Sequence, residues 1–174
     1  MTGELEIRRA RPEELEEVVG VLSENARWLL SRGIRQWPDP FPAGRVEQLL
    51  ERGEFYVGRL DGEIVATLAL LWSDPAFWGE RPPDAGYVHA LAVRRAYAGR
   101  RLGPRLLDWA EAQAAAAGRE YLRLDCPREN PVLRSYYEGQ GFEPQGEVEL
   151  DDLTVTLLQR RCRARAAGAV GTAE

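Results

Sequence analysis

The chain contains no lysine; all 23 of its basic side chains are arginine. That absence excludes Schiff-base chemistry, a catalytic lysine amine and the Gly-Lys-Ser/Thr core of a P-loop. Histidine occurs once, at His89, so no histidine cluster can bind zinc and no metal is expected. The two cysteines, Cys126 and Cys162, lie far apart without a CxxC spacing. A structural disulfide is not expected, as in a reducing compartment. No apolar run approaches the roughly 20 residues of a membrane span. The N-terminus lacks the charged-then-apolar order of a signal peptide. The expectation is a cytoplasmic protein with no membrane partner. A net charge of −5 speaks against nucleic-acid binding, which usually needs a basic face.

What is present is an ordinary globular composition, 44% apolar and 29% charged over 174 residues. One domain over residues 1–159 is expected, followed by an Ala/Gly/Arg-rich tail, 160–174, expected to be disordered. Alternation predicts a first strand at Leu5–Arg8. Pro12 opens a helix whose apolar residues recur at three and four, and Gly33 stops it. A rigid Pro-rich loop and a short helix through Val46, Leu49 and Leu50 follow. Phe55–Leu60 and Ile64–Leu71 read as strands joined by the hairpin signal Asp61-Gly62. Asp74–Asp84 reads as a loop and Gly86–Val93 as a strand. A helix from Gly103 carries Pro104 in its first turn and ends at Gly118. Tyr121–Asp125 is a strand, Pro131–Gln140 a helix capped by Asn130, and two strands close the order. The predicted order is β-α-α-β-β-β-α-β-α-β-β.

The most informative stretch runs from Val88-His89-Ala90-Leu91-Ala92-Val93 through Arg94-Arg95-Ala96-Tyr97-Ala98-Gly99-Arg100-Arg101-Leu102-Gly103-Pro104. A strand, a glycine-bearing loop and a helix start form an anion cradle, because backbone N–H groups and the helix dipole point at one spot. A dinucleotide fingerprint would need glycine at three places, and positions 99, 101 and 104 hold Gly, Arg and Pro. The stretch resembles the acetyl-CoA loop of the GNAT superfamily of N-acetyltransferases, with Ala98 and Arg101 departing from its Gln/Arg-x-x-Gly-x-Gly/Ala pattern. A second segment, Asn130-Pro131 to Tyr137-Glu138 and Gly141-Phe142, resembles the C-terminal motif of that family. The two motifs stand in the family's order.

The resemblance implies an α/β (α+β) fold: a mixed, mostly antiparallel seven-stranded sheet flanked by about four helices. It implies an acetyl-CoA-dependent acyltransferase moving an acetyl group to a primary amine, on a small molecule or a peptide, by direct attack. Acetyl-CoA would lie where the fourth and fifth strands splay, in contact with Leu91, Ala92 and Val93 and with the loop Ala98, Gly99, Arg100, Arg101, Leu102, Gly103 and Pro104. Asn130 would be a further contact, although its role as helix cap already accounts for it. Tyr137 would be the general acid for the leaving thiolate, whereas the residues alone favour core packing. His89 would be the base that takes the amine proton, with Glu80, Asp84 and an ordered water as rivals and a bulge in its strand expected. Trp28, Trp37, Trp72, Trp78 and Tyr87 are aromatic candidates for the acceptor pocket. Trp72, Trp78, Asp84 and Tyr87 are preferred because they flank the loop before the His89 strand. The acids Asp74, Glu80 and Asp84 would suit a cationic amine, and a solvated loop explains them equally well. Many members of the family form homodimers, and no motif here decides that. Two rival functions remain: a catalytically silent CoA-binding sensor, and a nucleotide-binding α/β domain.

Overall fold

The computed structural model describes residues 3–163. Seven strands form one open sheet in the order β1-β2-β3-β4-β5-β7-β6. The strands are β1 Glu6–Arg9, β2 Phe55–Leu60, β3 Glu63–Leu71, β4 Ala85–Val93, β5 Tyr121–Pro127, β6 Glu143–Leu150 and β7 Leu153–Arg161. Only β4 and β5 pair in parallel; the other neighbours are antiparallel. The helices are α1 Leu15–Ser31, α2 Ala43–Glu51, α3 Pro75–Trp78, α4 Leu102–Ala116 and α5 Pro131–Gly139. The architecture is the expected mixed α/β class with one helix more. That helix, α3, is a single turn started by Pro75 inside the expected loop, too short to leave a periodic signal.

Helices cover both faces of the sheet. On one face Val18, Val21 and Leu22 of α1 and Val46 of α2 pack against Phe55, Val57, Ile64, Ala69 and Ala92. On the other, Leu106, Leu107, Ala110 and Ala114 of α4 pack against Leu68, Leu70, Val88, Leu122 and Leu124. The nearly continuous apolar run of β3 follows from this, since all its residues from Ile64 to Leu70 are buried. The Asp61-Gly62 hairpin turn has positive φ at both residues, as a two-residue hairpin loop requires.

The C-terminal boundary differs from expectation. Strand β7 continues through Arg161 rather than stopping before residue 160. Arg160 is held by Glu111 at 2.9 Å and donates to the Gln140 carbonyl at 2.7 Å. Arg163 pairs with Asp108 and Glu111 at 2.8 and 2.9 Å. The arginines that gave this stretch a disordered composition are the anchors that fasten it to α4. The rest of the expected tail, from residue 164, lies outside the described residues. No described helix is long and apolar enough to cross a membrane.

Candidate active site

Strands β4 and β5 pair only through Ala85–Tyr121, Gly86–Leu122 and Tyr87–Arg123. Past Tyr87 the two part: β4 keeps β3 as its neighbour, while β5 pairs with β7 along its whole length. A wedge opens between them, and from Val88 onward β4 faces it with an edge that no strand pairs. The register of β3 against β4 slips here, so that Ala69 opposes His89 while Thr67 opposes Ala92. The extra residue is a bulge, with Ala90 at φ 50° and its carbonyl accepting from Thr67 Oγ1 at 2.8 Å. This is the bulge expected in the His89 strand.

The wedge continues into a cavity of about 750 Å³. Its floor holds His89, Ala90 and Leu91 of β4, Leu124 and Asp125 of β5 and Tyr137 of α5. Its walls come from Trp37 and Phe41 before α2, from Arg45, Gln48 and Leu49 of α2, from Asp74 and Phe77, and from Leu150, Leu153 and Val155 of the last hairpin.

His89 lies between two carboxylates. Its Nε2 is 2.6 Å from Asp74 Oδ2 and its Nδ1 3.9 Å from Asp125 Oδ2. Phe77 covers the ring at 5.1 Å between centroids. Burial alone would lower the His89 pKa, but the Asp74 hydrogen bond and the charges of Asp74 and Asp125 together raise it above the ordinary histidine value. Burial is also the main influence on Asp125. With Asp74 adding repulsion and His89 opposing, the Asp125 carboxyl is pushed up to about 6. These groups are the Asp74–His89–Asp125 cluster of the described residues, with ligand atoms mutually within 4.8 Å.

Tyr137 is 6% exposed and packs edge-on against Tyr136 and Phe142. Among the described residues its hydroxyl has no hydrogen-bond partner, although Tyr137 lines the cavity. Burial, first, and then the neighbouring Cys126 and Asp125 drive its pKa above the ordinary phenol value. Its ring belongs to the core, and the residue also borders the cavity.

The loop after β4 enters α4 through residues in left-handed conformations. Gly99 has φ 81° and Arg101 sits at φ 60°, ψ 27°, the left-handed conformation that glycine adopts most easily. Arg101 therefore takes the backbone shape of the glycine expected at its position, at a cost of about 1–2 kcal/mol. No side chain caps α4. Among the described residues the amides of 99–103 make no hydrogen bond outside the helix. Gly103 lies so close to Tyr136 that a Cβ there would stand 2.6 Å from its hydroxyl. Leu102 is buried as the first residue of α4. Ala98 ends a short 3-10 turn, and Pro104 stands in the first turn of α4.

The neighbouring arginines are committed elsewhere. Arg94 Nε donates to the Ile64 carbonyl at 2.7 Å. The Arg95 guanidinium lies 3.7 Å above the Trp28 ring, and Arg100 lies 4.8 Å above Tyr97. Asn130 is buried and accepts from the Leu133 amide at 3.1 Å, which makes it the cap of α5. Of the β4 residues, Leu91 lines the cavity, while Ala92 and Val93 pack on opposite faces of the sheet.

The expected acceptor residues are placed elsewhere. Trp72, Trp78, Asp84 and Tyr87 are not part of the cavity lining. Arg123 is 3% exposed and gathers three of them: it donates to Asp84 Oδ1 and to the Tyr87 hydroxyl, both at 3.0 Å, and lies 5.1 Å from the Trp78 ring. Tyr87 sits where β4 and β5 are still joined, so the wedge has not yet opened beside it. Trp72 packs against the α4 core under Arg119. Of the aromatics considered, Trp37 does line the cavity. Phe77, Arg45, Gln48 and Asp125 are the residues that sequence reasoning missed. Asp125 carried a signal in being the one acid of its strand, next to the resembling motif.

Residues 22–142 match the acetyltransferase (GNAT) family. The chain is 34% identical over 143 residues to the uncharacterized N-acetyltransferase YesJ of Bacillus subtilis, covering 77% of this chain and 79% of that protein. A GNAT-family acetyltransferase from Listeria monocytogenes superposes with a TM-score of 0.76 at 26% identity, over 92% of this chain and 98% of that one. A paia N-acetyltransferase from Thermoplasma acidophilum, solved in complex with coenzyme A, shares the fold with a TM-score of 0.73 at 19% identity, over 91% and 99% of the two chains.

Proposed function

The chain belongs to the GNAT acetyltransferase family and is an acyltransferase, and from that premise we propose that it moves an acetyl group from acetyl-CoA to a primary amine by direct attack. The observation that carries this is the meeting, in one wedge between β4 and β5, of a carboxylate-bound histidine and a tyrosine whose hydroxyl has no hydrogen-bond partner among the described residues.

Acetyl-CoA suits the residues present. The unpaired edge of β4 can receive an extended pantetheine chain as an added strand would be received. The uncapped start of α4, with Gly99 and Arg101 in left-handed conformations, offers amides to the pyrophosphate. When bound, acetyl-CoA supplies an activated carbonyl carbon for the acceptor nitrogen to attack, with the CoA thiolate leaving as the C–S bond breaks.

The rest is performed by the chain. His89 Nε2–H donates a hydrogen bond to the Asp74 carboxylate, which leaves the Nδ1 lone pair free on the side of the cavity. His89 Nδ1 takes the proton that the amine must lose, directly or through one water. The backbone N–H of Leu91, just past the bulge, is offered to the developing oxyanion. Tyr137 gives its phenolic proton to the departing sulfur. Burial holds its pKa above the usual phenol value, so the proton stays on the phenol until the thiolate develops. His89 then releases its proton to solvent and Tyr137 regains one. Asp74 acts through His89 and is a positioning residue.

The test is Tyr137→Phe. Thermal shift with acetyl-CoA, against NAD and ATP as controls, reads binding; at about 100 times Kd the gain is roughly 2.7 kcal/mol. The variant is expected to keep that shift and to lose acetyl transfer to amines by about 10²-fold or more. Binding without turnover in the parent chain would favour a CoA sensor, and a shift with NAD or ATP alone would favour a nucleotide-binding domain.

A further inference from the structure

The charged groups of the cavity are unevenly placed. Its inner end holds Asp74, His89 and Asp125. Its exposed outer wall holds Arg45, with Gln48 one helical turn further along α2. Arg45 is the cavity's only arginine, and among the described residues it makes no ion pair, no side-chain hydrogen bond and no aromatic contact. Its situation differs from that of Arg94, Arg95, Arg123 and Arg160, which the fold uses. Much of the remaining lining is apolar, including Leu49, Leu71, Phe77, Leu150 and Leu153. Gln36, also in the lining, keeps its Oε1 buried with no partner.

We propose that the acceptor is a small amino carboxylate with an apolar body, its amine directed to His89 and its carboxylate to Arg45. This rests on the acetyl-transfer reading above and names its substrate class. A guanidinium presents a planar fork that a carboxylate fills with two charge-assisted hydrogen bonds, while a neutral amide cannot fill it in the same way. The carboxylate end is turned from the floor by Asp74 and Asp125, which repel an anion and attract the ammonium end. That polarity fixes one orientation and brings the nitrogen, not the carboxylate, to the base. The apolar lining favours a hydrocarbon body over a polar one. A simple amine satisfies only the inner end.

The experiment measures thiol release by the full chain with saturating acetyl-CoA and three sets of acceptors. The first set is leucine, phenylalanine and longer ω-amino acids; the second is their carboxamides; the third is the matching amines without a carboxyl group. The amino carboxylates are expected to exceed both other sets by about tenfold or more in kcat/KM, the equivalent of one good charged contact. Arg45→Gln is expected to narrow the ratio of carboxylate to amine by a similar factor, mainly through KM, and Arg45→Lys to restore part of it. Arg45 is exposed and unpaired, so neither change threatens the fold. Equal use of amines and amino carboxylates would overturn the proposal, as would an unchanged ratio in Arg45→Gln. A chain that shifts with acetyl-CoA but uses only the amines overturns this acceptor class and leaves acetyl transfer standing. A chain with no acetyl-CoA shift overturns the underlying reading.

Discussion

Asp74 and His89 meet at 2.6 Å, Oδ2 to Nε2, although one precedes the single turn α3 and the other lies in the middle of β4. Pro75 starts that turn, and Phe77 from it covers the imidazole. The turn thus delivers both the anion that orients the ring and the apolar cover that keeps it from bulk water.

The pH dependence of kcat tests this pair. A base must be neutral, so with His89 in the proposed role kcat is expected to rise with pH through its pKa, which Asp74 and Asp125 hold above the ordinary histidine value against the opposing effect of burial. Asp74→Asn removes one of the two charges. The acid limb of kcat is then expected to move to lower pH while the plateau falls by about tenfold or more, as a weaker and less well-held base would give. His89→Gln is expected to lose about 10²-fold and to abolish that limb. A limb that stays in place in Asp74→Asn would mean that Asp74 serves the fold alone.

Asp125 is expected to cost stability. Its folded pKa is pushed up to about 6 from an ordinary value of 3.8, with burial as the main cause. The folded state therefore binds a proton more readily than the unfolded one. The stabilisation from that proton is complete below about pH 4 and is lost as pH rises through 6. Asp125→Asn removes the buried charge and should raise stability above pH 6 by something on the order of 2 kcal/mol, with no gain near pH 4. Thermal melts across that range check it. A variant less stable at pH 8 would mean that the attraction to His89 outweighs burial.

The parts legible in the sequence are those whose signals are local. The strand, loop and helix start from Val88 to Pro104 are legible as the end of β4, its loop and the start of α4, and Asn130 to Phe142 as α5. Each rests on residues within one or two elements. The pairing of Asp74 with His89 and the approach of Asp125 from the neighbouring strand are long-range, and no spacing encodes them. The cavity is harder still, since its walls come from α2, α3 and the last hairpin. Trp78 and Tyr87 were drawn toward the pocket by nearness along the chain. In space they lie on the closed side of the wedge, where Arg123 occupies the room between them.

Arg123→Met checks that reassignment. The guanidinium is buried and bonded to Asp84, to the Tyr87 hydroxyl and to Gln159. Removing it leaves these partners unpaired and is expected to cost about 3 kcal/mol or more. Urea unfolding reads that loss. Acetyl transfer per folded molecule should change little, because none of the group lines the cavity. A stable variant with a greatly raised KM for the amine would return Asp84 and Tyr87 to the acceptor site.

Gly103 and Tyr136 test the cradle. An alanine Cβ at 103 would lie 2.6 Å from the Tyr136 hydroxyl. That hydroxyl is the far end of a partly exposed side chain and can swing aside. Alanine also favours a helix over glycine by about 1 kcal/mol. The free Gly103→Ala chain should therefore melt close to the parent. Its affinity for acetyl-CoA should fall by about tenfold or more, because the Cβ stands at the uncapped start of α4 where a phosphate must approach the backbone. Tyr136→Phe separates two causes of that loss. If the displaced hydroxyl blocks the cradle, the double variant regains affinity; if the Cβ itself blocks it, the loss persists while the melting temperature rises above the sum of the single changes. The second outcome is expected, since the ligand needs close approach to the main chain and the phenol does not supply it. Wild-type affinity in Gly103→Ala would remove the start of α4 from the binding site.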